Sequence, residues 1–418
     1  GEEPSSRSNK RQMGERTQFD PPTQRTCFEK GLVRRSLDLK AAMAIIDSDE
    51  PTLSDQTRPL SLQPTLSRHI LLPHVLIMQP INTRFTKMFN IKTPIVAAPM
   101  AFASTPELAA AVTAAGGLGL FGAGFDTSDS IRQTFKVVRE KLNVPKGKPV
   151  PFGVGVIAWI LDMTEPSDDP RLPTILEELP ESIWFAFGDV GKYIKQVQEY
   201  DAKREHKTKI FLIVNSAEEA LKAVNEWKVD VLVAQGNEAG GHGGSISPPT
   251  TTVVQSVKAA VGPNGPLVIA AGGIMTGAQV ASFLTLGADA VVCGTRFLFT
   301  PECCYTDAMK AVLLESDLQA TKRSLCYDDA GRTNGWPPLH DGRAIANKIW
   351  DDLQEGLSLE DRQARFDESA KKGEKDRLVI WAGVGTGLVK EIKPAAEVLR
   401  SLHEGALESL RVASQLTA

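Results

Sequence analysis

One histidine in this 418-residue chain stands among enough glycines to move a proton close to a bound ligand. It is His242, in the run Gln235-Gly236-Asn237-Glu238-Ala239-Gly240-Gly241-His242-Gly243-Gly244, which holds five glycines in nine positions. Imidazole is the side chain whose ordinary titration range suits a general base near neutral pH. Glycine is costly in chain entropy, so this density suits a ligand that must approach the backbone. Glu238 is a second titratable group in the same run. Two further segments could cradle an anion: Ala270-Ala271-Gly272-Gly273-Ile274 and Gly294-Thr295-Arg296. Backbone N–H groups at such turns, and at a following helix N-terminus, face a phosphate. In Ala97-Ala98-Pro99-Met100-Ala101 a proline without an amide sits among small neighbours, which would admit a flat ligand.

The other histidines read as bland. His69 and His74 fall in the N-terminal region, His206 in a charged loop and His403 on a polar helix face. His340, in Pro337-Pro338-Leu339-His340-Asp341, is the one rival and could line a lid. Gly117, Gly119 and Gly122 match G-x-G-x-x-G, but a dinucleotide fingerprint needs a strand before it and a helix after it. Here a helical pattern precedes the match and an apolar strand lies inside it, so the match is rejected.

For the glycine segments to meet, the elements between them must bring their loops to one end. From Ile95 onward, short apolar runs alternate with amphipathic helical patterns. The candidate strands are Ile95–Ala98, Leu118–Phe121, Phe152–Ile157, Trp184–Phe187, Ile210–Val214, Val231–Gln235, Leu267–Ala270 and Ala290–Cys293. Alternation of this kind implies a parallel sheet buried on both faces. Eight such units favour a closed (β/α)8 TIM barrel, an α/β fold whose active site lies in the loops after the strands. Loops seven and eight of such barrels frequently bind phosphate, and the Gly272-Gly273 and Gly294-Thr295 segments fall there. Residues 1–80 read as a poorly ordered extension, 81–300 as the barrel and 301–418 as a helical appendage or lid. Its helix-like segments are Thr306–Leu314, Arg343–Glu355 and Ala395–Leu410, and the charged run Asp361–Asp376 reads as a solvated helix face.

Composition narrows the class. At 42% hydrophobic and 23% charged residues the chain is an ordinary soluble enzyme. A net charge of -4 gives no footprint for nucleic acid. The apolar run from Ile70 to Met78 is too short to span a bilayer, and Pro73 and His74 interrupt it. Cys27, Cys293, Cys303, Cys304 and Cys326 show no metal-ligand spacing, so no metal and reduced thiols in an intracellular, cytoplasmic setting are expected. Early acidic residues such as Glu2, Glu3 and Glu15 speak against a transit peptide, though frequent Arg and Ser leave organellar import open. The chain does not open with Met, and processing or trimming is the expectation. A homodimer is a further expectation.

Several of these segments are similar to those of one family. Pro94-Ile95-Val96-Ala97-Ala98-Pro99-Met100-Ala101, Ser104-Thr105-Pro106-Glu107-Leu108-Ala109-Ala110-Ala111-Val112 and Ala115-Gly116-Gly117-Leu118-Gly119 resemble the N-terminal signature of nitronate monooxygenases, formerly called 2-nitropropane dioxygenases. Glu238-Ala239-Gly240-Gly241-His242-Gly243-Gly244 resembles their central motif, and Trp381-Ala382-Gly383-Val384-Gly385 a late Gly-rich segment. The resemblance covers roughly Ile81 to Leu402. It implies an FMN cofactor, with Ala98, Pro99 and Met100 packing on the isoalloxazine and Gln235, Ala239, Gly240 and Gly241 along its edge. Gly155 of strand three and Ala271 belong to the same cofactor-binding set, and Gly272, Gly273, Gly294 and Thr295 would hold the phosphate. His242 would take the α-proton. The implied reaction is oxidation of alkyl nitronates, with nitroalkanes as further substrates, by O2 to carbonyl compounds and nitrite.

The chain departs from the family pattern at Gly153-Val154-Gly155-Val156 and at Ile213, where relatives often carry polar residues. Two rival readings follow. One is an NAD(P)H-dependent FMN reductase of the enoyl- or quinone-reductase type on the same barrel. The other is a flavin-binding accessory protein.

Overall fold

The computed structural model of the chain describes residues 78–417, so the extension expected over 1–80 lies outside it except for its last three residues. Among the described residues the strands are β1 (Ile95–Ala97), β2 (Leu118–Gly122), β3 (Val150–Ile157), β4 (Pro180–Ala186), β5 (Lys209–Val214), β6 (Val231–Gln235), β7 (Gly241–Gly244), β8 (Leu267–Ala271), β9 (Ala290–Cys293), β10 (Thr321–Ser324) and β11 (His340–Ile345). All but β7, β10 and β11 form a closed parallel barrel, with β9 pairing back on β1 through Ile95↔Val291, Val96↔Val292 and Ala97↔Cys293. The eight expected strands are these eight.

The strands read as unbroken apolar runs because both of their faces are covered. Val96, Leu118, Leu120, Trp184, Phe211, Val231, Val233 and Ile269 fill the barrel interior. Their neighbours in sequence, among them Ile95, Ile183, Leu232 and Val268, pack outward into the main core with the helices. At the N-terminal end of the strands the helix Arg84–Phe89 stoppers the barrel, with Phe85 and Phe89 against Phe211 at ring separations of 6.2 and 5.6 Å.

The segment expected as the helix Ala395–Leu410 runs Ala395–Gln415, and its place is in the ring of barrel helices. It packs between the helices Gly277–Thr285 and Pro106–Ala114, so closely that a Cβ on Gly277 would lie 2.5 Å from the Ala406 nitrogen. Residues 299–394 are therefore an insertion between the eighth barrel strand and its helix, on the face where barrels place their active sites. That insertion is not wholly helical. β10 pairs antiparallel with β11, and β11 with β7, into a three-stranded sheet. The stretch Arg343–Glu355, expected as one helix, is divided: Arg343–Ile345 belongs to β11, and Asn347 then caps the helix Lys348–Gln354 by accepting the Ile349 N–H. Pairing with β7 overrides a weak helical pattern.

Two other expectations fail. His403 is 1% exposed, not on a solvated face, and its Nε2 lies 2.8 Å from the Gln79 carbonyl oxygen. Its helix face reads polar in sequence but is covered by the segment leading into the barrel. Cys293, Cys303 and Cys326 carry free thiols, but Cys304 is disulfide-bonded, against the reduced state expected of the cysteines. Among the described residues no helix is long and apolar enough to cross a membrane, and no group of His, Cys, Asp or Glu is arranged to hold a metal ion.

Candidate active site

The glycine-rich run after β6 was expected to be a loop, yet its second half is strand β7, with His242 opposite Gly342 of β11. Small residues allow this. A Cβ on Gly342 would lie 2.3 Å from the Trp381 ring, so the sheet can press against that indole only through glycine. Gln235 braces the strand from below: its Nε2 donates to the His242 carbonyl at 3.1 Å, while Asn215 Nδ2 donates to the Gln235 carbonyl at 2.8 Å. Glu238 has a different task. Its Oε2 accepts the Thr250 N–H at 2.7 Å, capping the helix Thr250–Val261. Glu238→Ala is expected to cost about 1–2 kcal/mol, the worth of a charged N-terminal cap. A melting temperature unchanged by this substitution would refute the capping role.

The imidazole of His242 is almost enclosed. Its Nε2 lies 3.0 and 2.9 Å from the two carboxylate oxygens of Asp328, whose side chain is fully buried. Thr333 Oγ1 and Trp336 Nε1 each donate to Asp328 Oδ1 at 2.9 Å. The Trp336 indole stacks on the imidazole at 3.4 Å and 8°, and Trp381 approaches it at 4.6 Å and 55°. Burial pushes the His242 pKa below its ordinary value; the hydrogen bond and charge of Asp328 oppose this, and Arg323 adds to it. The lowered pKa favours the neutral ring, the form able to accept a proton. Neither Asp328 nor Trp336 was singled out from the sequence. Asp328 is 86 residues from His242, and its only signal is the acidic pair Asp328-Asp329 within an otherwise apolar helix, Cys326–Gly331.

The remaining expected residues converge on the same face of the barrel. Gly294 lies beside Ala98 and Met100, 3.5 Å from each to a Cβ placed on it. Gly272 and Gly273, just past β8, have φ of +125° and +72°, open to glycine at little cost. Ala271, the last residue of β8, pairs with Gln235. Gly241 has φ +69° and nothing within 4 Å of where a Cβ would stand, so its side faces open space. Thr295 Oγ1 accepts the Gly383 N–H at 2.9 Å, and Val384 donates to the Glu238 carbonyl at 3.1 Å, which ties the late glycine segment to the post-strand turns. Gly155 serves Pro99: a Cβ there would lie 2.4 Å from the proline ring. The result is a cradle of glycine turns after β8 and β9 with the small side chain of Ala98 and the thioether of Met100 beside it, a donor set that fits a cofactor bearing a phosphate.

Aromatic rings cross the mouth. Phe125, Trp159, Trp336, Phe187 and His340 follow one another at 5.3 to 5.8 Å. The rival His340 is therefore part of this rim, with Nδ1 at the Pro338 carbonyl. A cavity of about 290 Å³ lined by Asp201, Lys207, Lys228 and Asp230 opens at the opposite end of β5 and β6 and stands apart from this site.

A family model described as nitronate monooxygenase matches residues 82–405. The chain belongs to the nitronate monooxygenase family. It is 32% identical over 333 residues to a nitronate monooxygenase of Metarhizium robertsii, covering 75% of this chain and 91% of that protein. With the nitronate monooxygenase of Pseudomonas aeruginosa it shares 31% over 375 residues, covering 78% and 99%. Among solved structures, FabK from Thermotoga maritima superposes with a TM-score of 0.65 at 28% identity, over 80% of this chain and 99% of that one. Nitroalkane oxidase from Streptomyces ansochromogenes gives 0.62 at 26%, over 78% and 99%. As a nitronate monooxygenase family member the chain is an oxidoreductase, and that family is generally flavin-dependent.

Proposed function

We propose that the protein binds FMN in the cradle formed by Ala98, Met100, Gly241, Gly272, Gly273, Gly294 and Thr295 and oxidises alkyl nitronates by O2 to carbonyl compounds and nitrite. Nitroalkanes serve as well, after His242 takes their α-proton. The observation that carries this reading is the enclosed imidazole of His242, held by Asp328 on the same barrel face as the glycine cradle. Bound FMN would accept electrons from the nitronate and react with O2. The protein's own part is to hold the substrate's α-carbon against the imidazole, to exclude water with Trp336 and Trp381, and to receive the proton. The aromatic rim suits the alkyl portion of such a substrate.

The rival NAD(P)H-dependent reductase shares the barrel and the cradle, so the two readings are separated by the electron donor. Purified yellow protein is mixed anaerobically with propyl-2-nitronate or with NADH or NADPH while flavin absorbance is followed. The nitronate is expected to change the flavin spectrum and the pyridine nucleotides to leave it unchanged within the same interval. Rapid bleaching by a pyridine nucleotide alone would reverse the assignment.

A further inference from the structure

We infer that Asp328 is a positioning residue: by accepting the Nε2–H of His242 it fixes the imidazole as the tautomer with its lone pair on Nδ1, so that Nδ1 takes the substrate proton. This rests on the oxidation proposed above for the same site.

A neutral imidazole carries one N–H, and a carboxylate only accepts. With both Asp328 oxygens within 3.0 Å of Nε2, the hydrogen sits on that nitrogen. Among the described residues Nδ1 makes no hydrogen bond. The ring is also held against rotation, since Trp336 covers one face at 3.4 Å and Trp381 crowds it at 4.6 Å. The indole and the carboxylate lock one another, because Trp336 Nε1 donates to the oxygen that Thr333 also bonds. This carboxylate is completely buried, so its partners are fixed by packing and not by chance contact.

Proton transfer follows from this arrangement. The substrate's α-C–H bond breaks, its electron pair moves into the nitro group to give the nitronate, and the proton forms a bond to Nδ1. An imidazolium then stands in a buried site, which burial disfavours. Three charged groups act on the ring: Asp328 from the helix Cys326–Gly331, Arg323 from β10 and Asp341 from β11. Arg323 and Asp341 are paired with each other, Nε to Oδ1 at 2.8 Å, which leaves Asp328 as the counter-charge of the imidazolium.

The test uses flavin-loaded wild-type protein, Asp328→Asn and Asp328→Glu. Nitrogen NMR of 15N-histidine-labelled protein reads the tautomer directly and does not depend on turnover. Wild type is expected to show His242 protonated at Nε2 and bare at Nδ1; a proton on Nδ1 in the wild type would overturn the inference. In Asp328→Asn, kcat/KM on a neutral nitroalkane is expected to fall about 10- to 100-fold, as on loss of a carboxylate behind a working histidine. Oxidation of the preformed nitronate should change little. Because the carboxylate raises the His242 pKa, its removal should shift the acidic limb of the nitroalkane pH profile to lower pH. Asp328→Glu should recover part of the loss. An asparagine variant with the wild-type profile and the wild-type ratio of nitroalkane to nitronate turnover would reduce Asp328 to a structural role. If wild type oxidised neither substrate the functional proposal would fall, yet the tautomer would still be read from the spectrum. Should the asparagine variant not fold, the wild-type spectrum and the glutamate variant decide.

Discussion

Turnover of a neutral nitroalkane is expected to drop by about 10²–10⁴-fold in His242→Asn, the span that a positioned general base contributes. Asparagine offers an amide in place of a basic nitrogen, so the α-proton has no acceptor. A preformed nitronate has already lost that proton and should be oxidised with a far smaller loss. Oxygen uptake measured with both substrates, at matched flavin content, separates the two cases. Equal losses would show that the imidazole binds but does not act as the base. Wild-type kcat/KM on the neutral substrate should also hold to a lower pH than a solvent-exposed histidine would allow, because burial depresses the His242 pKa. The sign is fixed: a base works unprotonated, and a lowered pKa extends the unprotonated form toward acid.

The second large effect is on the cofactor. Gly272→Val is expected to yield protein that keeps its helical content but loses its yellow colour. At φ +125° an L side chain is strained, by roughly 1–3 kcal/mol. The first added carbon would also stand 2.7 Å from Thr250 Oγ1 and 3.1 Å from the Ala239 nitrogen. Thr250 opens the helix Thr250–Val261 and Ala239 belongs to the run after β6, both packed directly behind Gly272, so relief of the clash comes from moving the cradle itself. Each 1.4 kcal/mol weakens binding about tenfold, so flavin should be retained at least about tenfold more weakly. The ratio of flavin to protein absorbance, with circular dichroism as the control for folding, measures this. Full flavin occupancy would remove Gly272 from the proposed FMN site.

Much of this was legible in the chain. Runs such as Val231–Gln235 and Leu267–Ala271 are apolar throughout because the barrel buries both faces, and the pattern needs no distant partner to be recognised. The post-strand glycines were legible for the same reason, since a barrel sends its loops to one end. His242 stands on the barrel face to which its glycine neighbours pointed, though in a strand where a loop was expected. Thr321-Lys322-Arg323-Ser324 has no strand-like alternation, and it pairs only because β11 lies beside it. Asp328 could not be found from spacing, as its link to His242 is made by the fold and not by any local motif. Ile213, expected as a departure from the family pattern, packs with the barrel interior, and Gly155 is claimed by Pro99. His403 was misread because a neighbouring segment covers its polar-looking face, and sequence does not show what lies over a helix.

The insertion of residues 299–394 also bears on how the chain assembles. A βα connection is commonly only a few residues long, whereas here strand β9 waits for its own helix across nearly a hundred. Left structureless, that excursion would cost roughly 3 kcal/mol more in closure entropy than a four-residue loop. Folding of the inserted segment on its own sheet and helices offsets this. At a synthesis rate of about 5–20 residues per second, roughly 6–24 s separate the emergence of β9 from that of the last turn ending at Gln415. During that interval the groove beside Gly277 and Gly117, which Ala406 and Leu399 later fill, has no cover. All eight strands exist before the ring of helices can be completed, so the nascent barrel is most exposed to mispairing and to chaperones at the seam between its last helix and its first.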